Sequence, residues 1–340
     1  MNSAQQAVID KKPPVPLFNG LGRLPSAAPS HLWADYVELR ALTGIDKVFS
    51  HGFLEDSIGL ADDVNIDANS NADVDGEDSG EATNAADEVD TEARLRNKWR
   101  DIKVALTSRQ SRMGAAWPFE FSHDVLRLRY DNSNSLHQLY LSLLVASSLR
   151  YVERKRYQEI ADYLEEVGAV VFTALMPTQW TVKVFGANST NYNGTKSDKL
   201  RALAADLRAQ VTFEDDEIND GDTGDAGLDV VAWHDFGDSL GQIPIAFAQC
   251  GCSPNDIDYK QLEPSPASFN RWMKPHHPAA AYYIAPLDFR KNNGHWVRKP
   301  AEVIMIDRSR IVNVISTYNL SIGAPGFVSE ALNYALPTGA

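Results

Sequence analysis

Gly224–Asp225–Ala226–Gly227–Leu228–Asp229–Val230–Val231–Ala232–Trp233 is followed, after a polar turn, by Ile243–Pro244–Ile245–Ala246–Phe247–Ala248–Gln249–Cys250. Short apolar runs bounded by Gly-rich and polar turns read as two strands buried on both faces. Alternation sets Leu228, Val230 and Ala232 on one face, with Asp229, Val231 and Trp233 on the other. A carboxylate inside such a strand is costly unless it is paired or bound to a metal. If the two strands form a hairpin, Asp229 and Gln249 meet at its end. Asp225 also reads as a turn former in the Gly-rich segment.

Working upstream, residues 154–166 read as a helix that carries Glu159, turns Tyr157, Ile160, Ala161 and Leu164 inward, and stops at Gly168. AVVFTAL (169–175) and WTVKVF (180–185) are β-like, and Ser197 caps a helix bearing Leu200, Leu203 and Leu207. Downstream, AEVIMI (301–306) reads as a late strand running into a terminal helix capped by Asp307. Helices interleaved with strands give an α/β domain over 151–320. Before it, residues 1–29 hold five prolines and read as an extended arm. Residues 30–150 read as mainly helical, with Leu95, Trp99, Ile102 and Leu106 on one face and a strand at 125–130. Residues 321–340 read as a tail.

Within the helical region, residues 62–92 hold 12 acidic side chains, no Lys or Arg and no aromatic residue. Such a segment cannot bury enough surface to offset its ordering entropy, so it reads as a disordered insert. Asn71, Asp73, Asp75 and Gly76 mimic calcium-loop spacing, but Ala82 stands where the bidentate Glu belongs. Removing those twelve charges from the net −14 leaves −2 on the rest of the chain, so a local basic surface is compatible with the composition. No run approaches the ~20 apolar residues that cross a bilayer. The N-terminus lacks an export pattern, and two cysteines in 340 residues make no disulfide scaffold. A cytoplasmic protein is expected.

Asp229, Gln249 and Glu159 bring carboxylate and amide oxygens from three elements, a donor set suited to Mg²⁺ or Mn²⁺ rather than zinc. The arrangement resembles the PD-(D/E)XK nuclease superfamily, and especially its Mrr-like restriction endonuclease branch. There a helix carrying Glu precedes a strand reading G-D-x-G-x-D, and a following strand ends in Q-C-K or E-x-K. The matching segments here are Gln158–Glu159–Ile160–Ala161, Gly224 to Asp229, and Gln249–Cys250–Gly251, within about 157–252. The resemblance implies a restriction-endonuclease-like core, a mixed central sheet flanked by helices. It also implies metal-dependent hydrolysis of DNA phosphodiesters in restriction or anti-phage defence. Asp229, Glu159 and the Cys250 carbonyl would hold Mg²⁺ or Mn²⁺, and Gln249 would replace a second acidic ligand. The family's lysine, two residues after the Gln or Glu, is Gly251 here. Lys183, on a neighbouring β segment, is the first substitute, with Lys260, Arg271 and Lys274 behind it.

The missing lysine motivates a second reading: a degenerate nuclease-fold subunit that binds DNA or a partner protein in a defence complex without cutting. A third makes the acidic insert a mimic of nucleic-acid charge. Phe269, Trp272, Tyr282, Tyr283 and Trp296 interleave with Arg271, Lys274, Arg290, Lys291, Arg298 and Lys299. That mix suits either a nucleic-acid backbone or a core with a solvated rim. Cys250 and Cys252 with His276 and His277 lack the paired spacing of a zinc site. No Walker phosphate loop and no G-x-S-x-G elbow is present.

Overall fold

The computed structural model describes residues 15–25, 29–59, 85–186, 189–219, 226–253, 257–300 and 303–335. Most of the acidic insert, the calcium-like loop and Gly224–Asp225 lie outside them. The first part of the chain is built from α1 (Ser30–Thr43), β1 (Val48–Ser50), α2 (His51–Gly59), α3 (Ala85–Met113), β2 (Phe119–Ser122), β3 (Val125–Leu128) and α4 (Ser135–Ser147). β1, β3 and β2 form a small antiparallel sheet. α3 begins at Ala85, so the last residues of the expected insert, 85–92, are helical. Leu17, Phe18, Leu21 and Leu24 are buried, so this stretch of the expected arm packs into the core.

The second part runs α5 (Tyr157–Leu175), β4 (Thr181–Val184), α6 (Lys196–Leu207), β5 (Gln210–Val211), β6 (Val230–Trp233), β7 (Ile245–Cys250) and the short α7 (Ile257–Lys260) and α8 (Pro266–Phe269). It continues through β8 (Met273–Lys274), β9 (Ala280–Ile284), β10 (Ile304–Ile306), α9 (Arg308–Thr317) and α10 (Gly326–Asn333). Five strands make one mixed sheet in the order β10-β9-β7-β6-β4. β4, β6 and β7 form an antiparallel meander; β7, β9 and β10 run parallel. A mixed sheet flanked by helices is an α/β architecture, as the residue pattern indicates. The β6–β7 hairpin is present, with Val230 opposite Ala248 and Trp233 opposite Ile245.

Three local readings are corrected. AVVFTAL is not a strand, because α5 continues through Gly168 to Leu175. Its buried stripe of Ile160, Tyr163, Leu164, Val167, Gly168, Val171 and Phe172 keeps helical spacing throughout. Gly168 does not end the helix but admits a neighbour: a Cβ there would sit 2.4 Å from Cys250 Sγ. The cap of α6 is Thr195, which accepts from Asp198 N–H while Asp198 reaches back, a reciprocal capping box. The C-terminal stretch is not a bare tail, since α10 buries Phe327, Val328 and Ala331. Asp307 caps α9 as expected, accepting from Arg310 N–H at 3.0 Å.

One hydrophobic core joins α1, α3 and α4 to α5, α9, α10 and the α5-facing side of the sheet: Val230, Ala232, Ala246, Ala248 and Cys250. A second core on the opposite side gathers Phe185, Leu200, Leu203, Leu228, Val231, Trp233 and Phe247 beneath α6. No helix among the described residues is long and apolar enough to cross a membrane.

Candidate active site

The strand alternation breaks at Asp229. Leu228 shares a core with Val231 and Trp233, not with Val230. Ala248, the register partner of Val230, also takes the Asp229 N–H at 2.9 Å, so one carbonyl faces two residues, as at a bulge. The Asp229 carbonyl in turn accepts from Phe185 and Gly186 N–H at 2.6 and 3.1 Å. Asp229, 2% exposed, is therefore fixed by its backbone on two sides. Its Oδ2 accepts from Cys250 N–H at 2.6 Å, which joins the carboxylate to the end of β7.

The other carboxylate at this corner is Glu165, not Glu159. A Cβ on Gly186 would lie 3.0 Å from Glu165 Oε2 and 3.3 Å from Asp229 Oδ1. The two acids therefore flank Gly186, and a side chain there would press on both. Glu165 is half-buried, so the corner meets solvent on the α5 side. Glu159 lies six residues earlier, about 9 Å along the helix axis. It is exposed and receives Arg156 Nε at 2.8 Å, and Arg156 also grips Glu330 of α10. Arg156 thus ties α10 to the start of α5, and Glu159, its local partner, does not join Asp229.

Gln249 sits opposite Tyr283 in the β7–β9 register. Both are buried, and Gln249 Oε1 and Tyr283 Oη have no hydrogen-bond partner. Gln249 Nε2 reaches only the Cys250 carbonyl, at 3.5 Å. A buried polar atom without a partner calls for an explanation such as a bound ion or water. Tyr283 also accounts for Gly251: a Cβ at 251 would be 2.0 Å from Tyr283 Oη. The position that holds lysine in the motif is closed by a tyrosine hydroxyl.

Lys183 does not substitute. Its Nζ bonds Asp206 Oδ2 at 2.7 Å and lies over the Tyr192 and Trp233 rings. Lys260, at the end of α7, carries the ammonium that bears on Cys252 from this end of the sheet. Burial pushes the Cys252 thiol up to about 12; Lys260 opposes the rise, and Glu165 and Asp229 add to it. Burial, and then Asp229 and Glu165, push the Cys250 thiol up as well. Neutral thiols are poor zinc ligands, and His276 packs instead against Gly241. Among the described residues no three His, Cys, Asp or Glu side chains form a metal-holding group. The corner on the α5 side brings together two carboxylates, oxygens suited to a hard divalent cation, whereas alternation along β7 turns Gln249 to the opposite face with Phe247, away from Cys250 and Glu165, so Gln249 does not join the corner as expected.

Most of the aromatic and basic mix is core or rim. Phe269 and Tyr283 are buried, and Arg290 and Arg310 stack on Trp296. β9 and Glu165 went unread in the sequence. Ala280 to Ile284 reads Ala-Ala-Tyr-Tyr-Ile, with no period-2 alternation to mark a strand, and Glu165 sits beside the buried stripe of α5 with no motif to single it out. No family model, curated protein or solved structure matches the chain.

Proposed function

We propose that the chain is a metal-dependent endonuclease with a restriction-endonuclease-like core that hydrolyses DNA phosphodiester bonds, acting in restriction or anti-phage defence. The observation that carries the reading is the convergence of the Glu165 and Asp229 carboxylates on Gly186, beside the end of β7. The order of elements supports it: helix α5, the meander β4-β6-β7, a short helical crossover and parallel β9. That order puts an acidic helix before a strand opened by Asp229 and a strand closed by Gln249–Cys250.

Asp229 and Glu165 would hold Mg²⁺ or Mn²⁺, with the Cys250 carbonyl as a further oxygen donor. When bound, the cation polarises the phosphate and lowers the pKa of an attacking water. The Cys250 N–H fixes Asp229 Oδ2, so the carboxylate keeps one orientation without reorganising. Lys260 supplies positive charge in place of the motif lysine, since Tyr283 closes the side of Gly251.

The test is plasmid cleavage with Mg²⁺ or Mn²⁺. Glu165→Gln and Asp229→Asn each abolish cutting, and Glu159→Gln retains it. Uncut plasmid with the wild-type protein, or equal cutting by Asp229→Asn, overturns the reading. The closure of Gly251 by Tyr283 favours a second reading, a nuclease-fold subunit that binds DNA without cutting. Salt-sensitive retention of DNA with no metal-dependent cleavage supports that one.

A further inference from the structure

Beyond the carboxyl ends of the parallel strands β7 and β9 lies a pocket of about 500 Å³. Crevices at that end of a sheet are where α/β proteins take ligands, and small-molecule sites measure ~300–1,000 Å³. The wall is largely apolar: Leu32 of α1, Ile257 and Tyr259 of α7, and Leu287, Phe289 and Val297 of the segment after β9. That segment is fixed before any ligand arrives. Arg308 N–H donates to the Leu287 carbonyl at 2.9 Å, and Val297 N–H to the Phe289 carbonyl at 3.2 Å. Asp258 and Arg298, on the same wall, are bonded to each other.

His31 is the polar side chain on this wall without a partner. It is 5% exposed, its carbonyl accepts from Arg109 Nη2 at 2.8 Å, and its ring meets Phe289 edge-on at 5.9 Å. Among the described residues the imidazole makes no hydrogen bond and no ion pair. Its nitrogens are not among the sealed polar atoms, so they open onto the pocket. Burial pushes its pKa down to about 4, so at neutral pH the ring offers one N–H and one lone pair. An aliphatic guest would leave the imidazole unpaired, and a charged one would lose its hydration against the apolar wall. A flat heteroaromatic ring meets both demands, with apolar faces for Phe289 and Tyr259 and an edge of donors and acceptors for His31.

We propose that this pocket seats a nucleobase, its faces against the aromatic wall and its edge hydrogen-bonded to His31. Leu287 follows Ile284, the register partner of Cys250, by three residues, which span at most about 11 Å, and Cys250 holds Asp229. A strand crossing this end of the sheet would thus meet both the pocket and the carboxylates. A base drawn out of its stack and a free nucleoside share the same chemistry. The strand as source rests on the hydrolytic reading; the ring chemistry of the pocket does not.

The test uses the full-length protein in EDTA, where no turnover occurs. A labelled single-stranded oligonucleotide is followed by fluorescence anisotropy, and adenosine, guanosine, cytidine and thymidine by calorimetry. Two variants keep the fold: Tyr259→Ala, at a position 79% exposed, and His31→Leu, which replaces a neutral buried ring by an apolar side chain. Each weakens oligonucleotide binding about fivefold or more and leaves binding of the same backbone built of abasic sites unchanged. Nucleoside binding that the variants lose, with oligonucleotide binding unaltered, upholds the pocket and makes its source the free nucleoside. Wild-type affinity of both variants for every probe overturns the proposal, as does wild-type protein that binds none of them. An equal loss on the abasic strand overturns it too, since the residues would then act on the backbone. Weakened oligonucleotide binding in the variants, alongside wild-type protein that leaves plasmid uncut, upholds the pocket and removes the hydrolytic reading alone. Asp229-dependent cutting with unaltered binding in both variants does the reverse.

Discussion

Gly251 and Tyr283 form a pair in which each residue limits the other. With 2.0 Å between the Gly251 Cβ direction and Tyr283 Oη, Gly251→Ala must displace a fully buried ring. Overpacking of that kind costs about 1–3 kcal/mol. Burial, together with Cys252, Cys250, Glu263 and Asp229, raises the Tyr283 pKa, so the hydroxyl stays neutral. Tyr283→Phe removes a buried donor that has no partner, and deleting an unsatisfied group is neutral or stabilising. The expected outcome in urea melts is a loss for Gly251→Ala, none for Tyr283→Phe, and partial recovery in the double variant. A marked loss for Tyr283→Phe alone would mean that the hydroxyl is bonded. The glycine at the motif position was legible in the sequence, but its cause was not, because Tyr283 comes from a strand that pairs with β7 only through the fold.

At the scale of elements, α5 sets which carboxylate meets Asp229. Gly168 brings the helix against Cys250 Sγ at a distance that leaves no room for a methyl group. Alanine favours a helix over glycine by about 1 kcal/mol, yet the clash costs more. Gly168→Ala is therefore destabilising in the wild-type background and stabilising in Cys250→Ala, where the sulfur is gone. A thermodynamic cycle by urea denaturation reads that inversion of sign; the same sign in both backgrounds would refute the contact. The hairpin, the α5 start and the α9 cap were legible because each rests on local pattern: alternation, helical spacing and an Asp before a helix. The second half of α5 was not, because Val170, Val171 and Thr173 are β-branched and Gly168 resembles a stop. Tertiary packing of the apolar stripe overrode both local preferences. Glu165 lies within the helix read at 154–166, and the choice of Glu159 follows from matching Gln158–Glu159–Ile160–Ala161 to the family's helix motif rather than from the helix end.

At the scale of the whole molecule, the helical and α/β parts share a buried ionic network as well as a core. Arg109 of α3 bonds Asp35 at 2.7 Å, Glu38 at 2.9 Å and Asp288 at 3.0 Å. Arg308, the first residue of α9, bonds Asp35 at 2.9 Å and Ser147 of α4 at 2.7 Å. Removing one partner leaves an uncompensated buried charge, so Arg308→Met costs about 3–5 kcal/mol and lowers a single shared transition. For the same reason a fragment of 151–335 alone, cut through the core, does not give a cooperative melt. His31 lies in this network, with Asp35, Asp288, Arg109 and Arg308 acting on it, and burial pushes its pKa down to about 4. The unfolded chain takes a proton near 6.5 and the folded chain only near 4, so the His31 contribution is complete above 6.5 and is lost as pH falls toward 4. The loss amounts to about 3 kcal/mol. Arginine partners hold Asp35 and Asp288 low, so their contribution fails only below the usual carboxylate range. Burial pushes Glu38 up, which acts in the opposite sense over part of the same interval. The difference between wild type and His31→Gln cancels the carboxylates that both share. The stability of wild type relative to that variant should therefore fall between pH 6.5 and 4 and level off outside the interval; parallel pH curves would show that His31 is not held neutral by its burial.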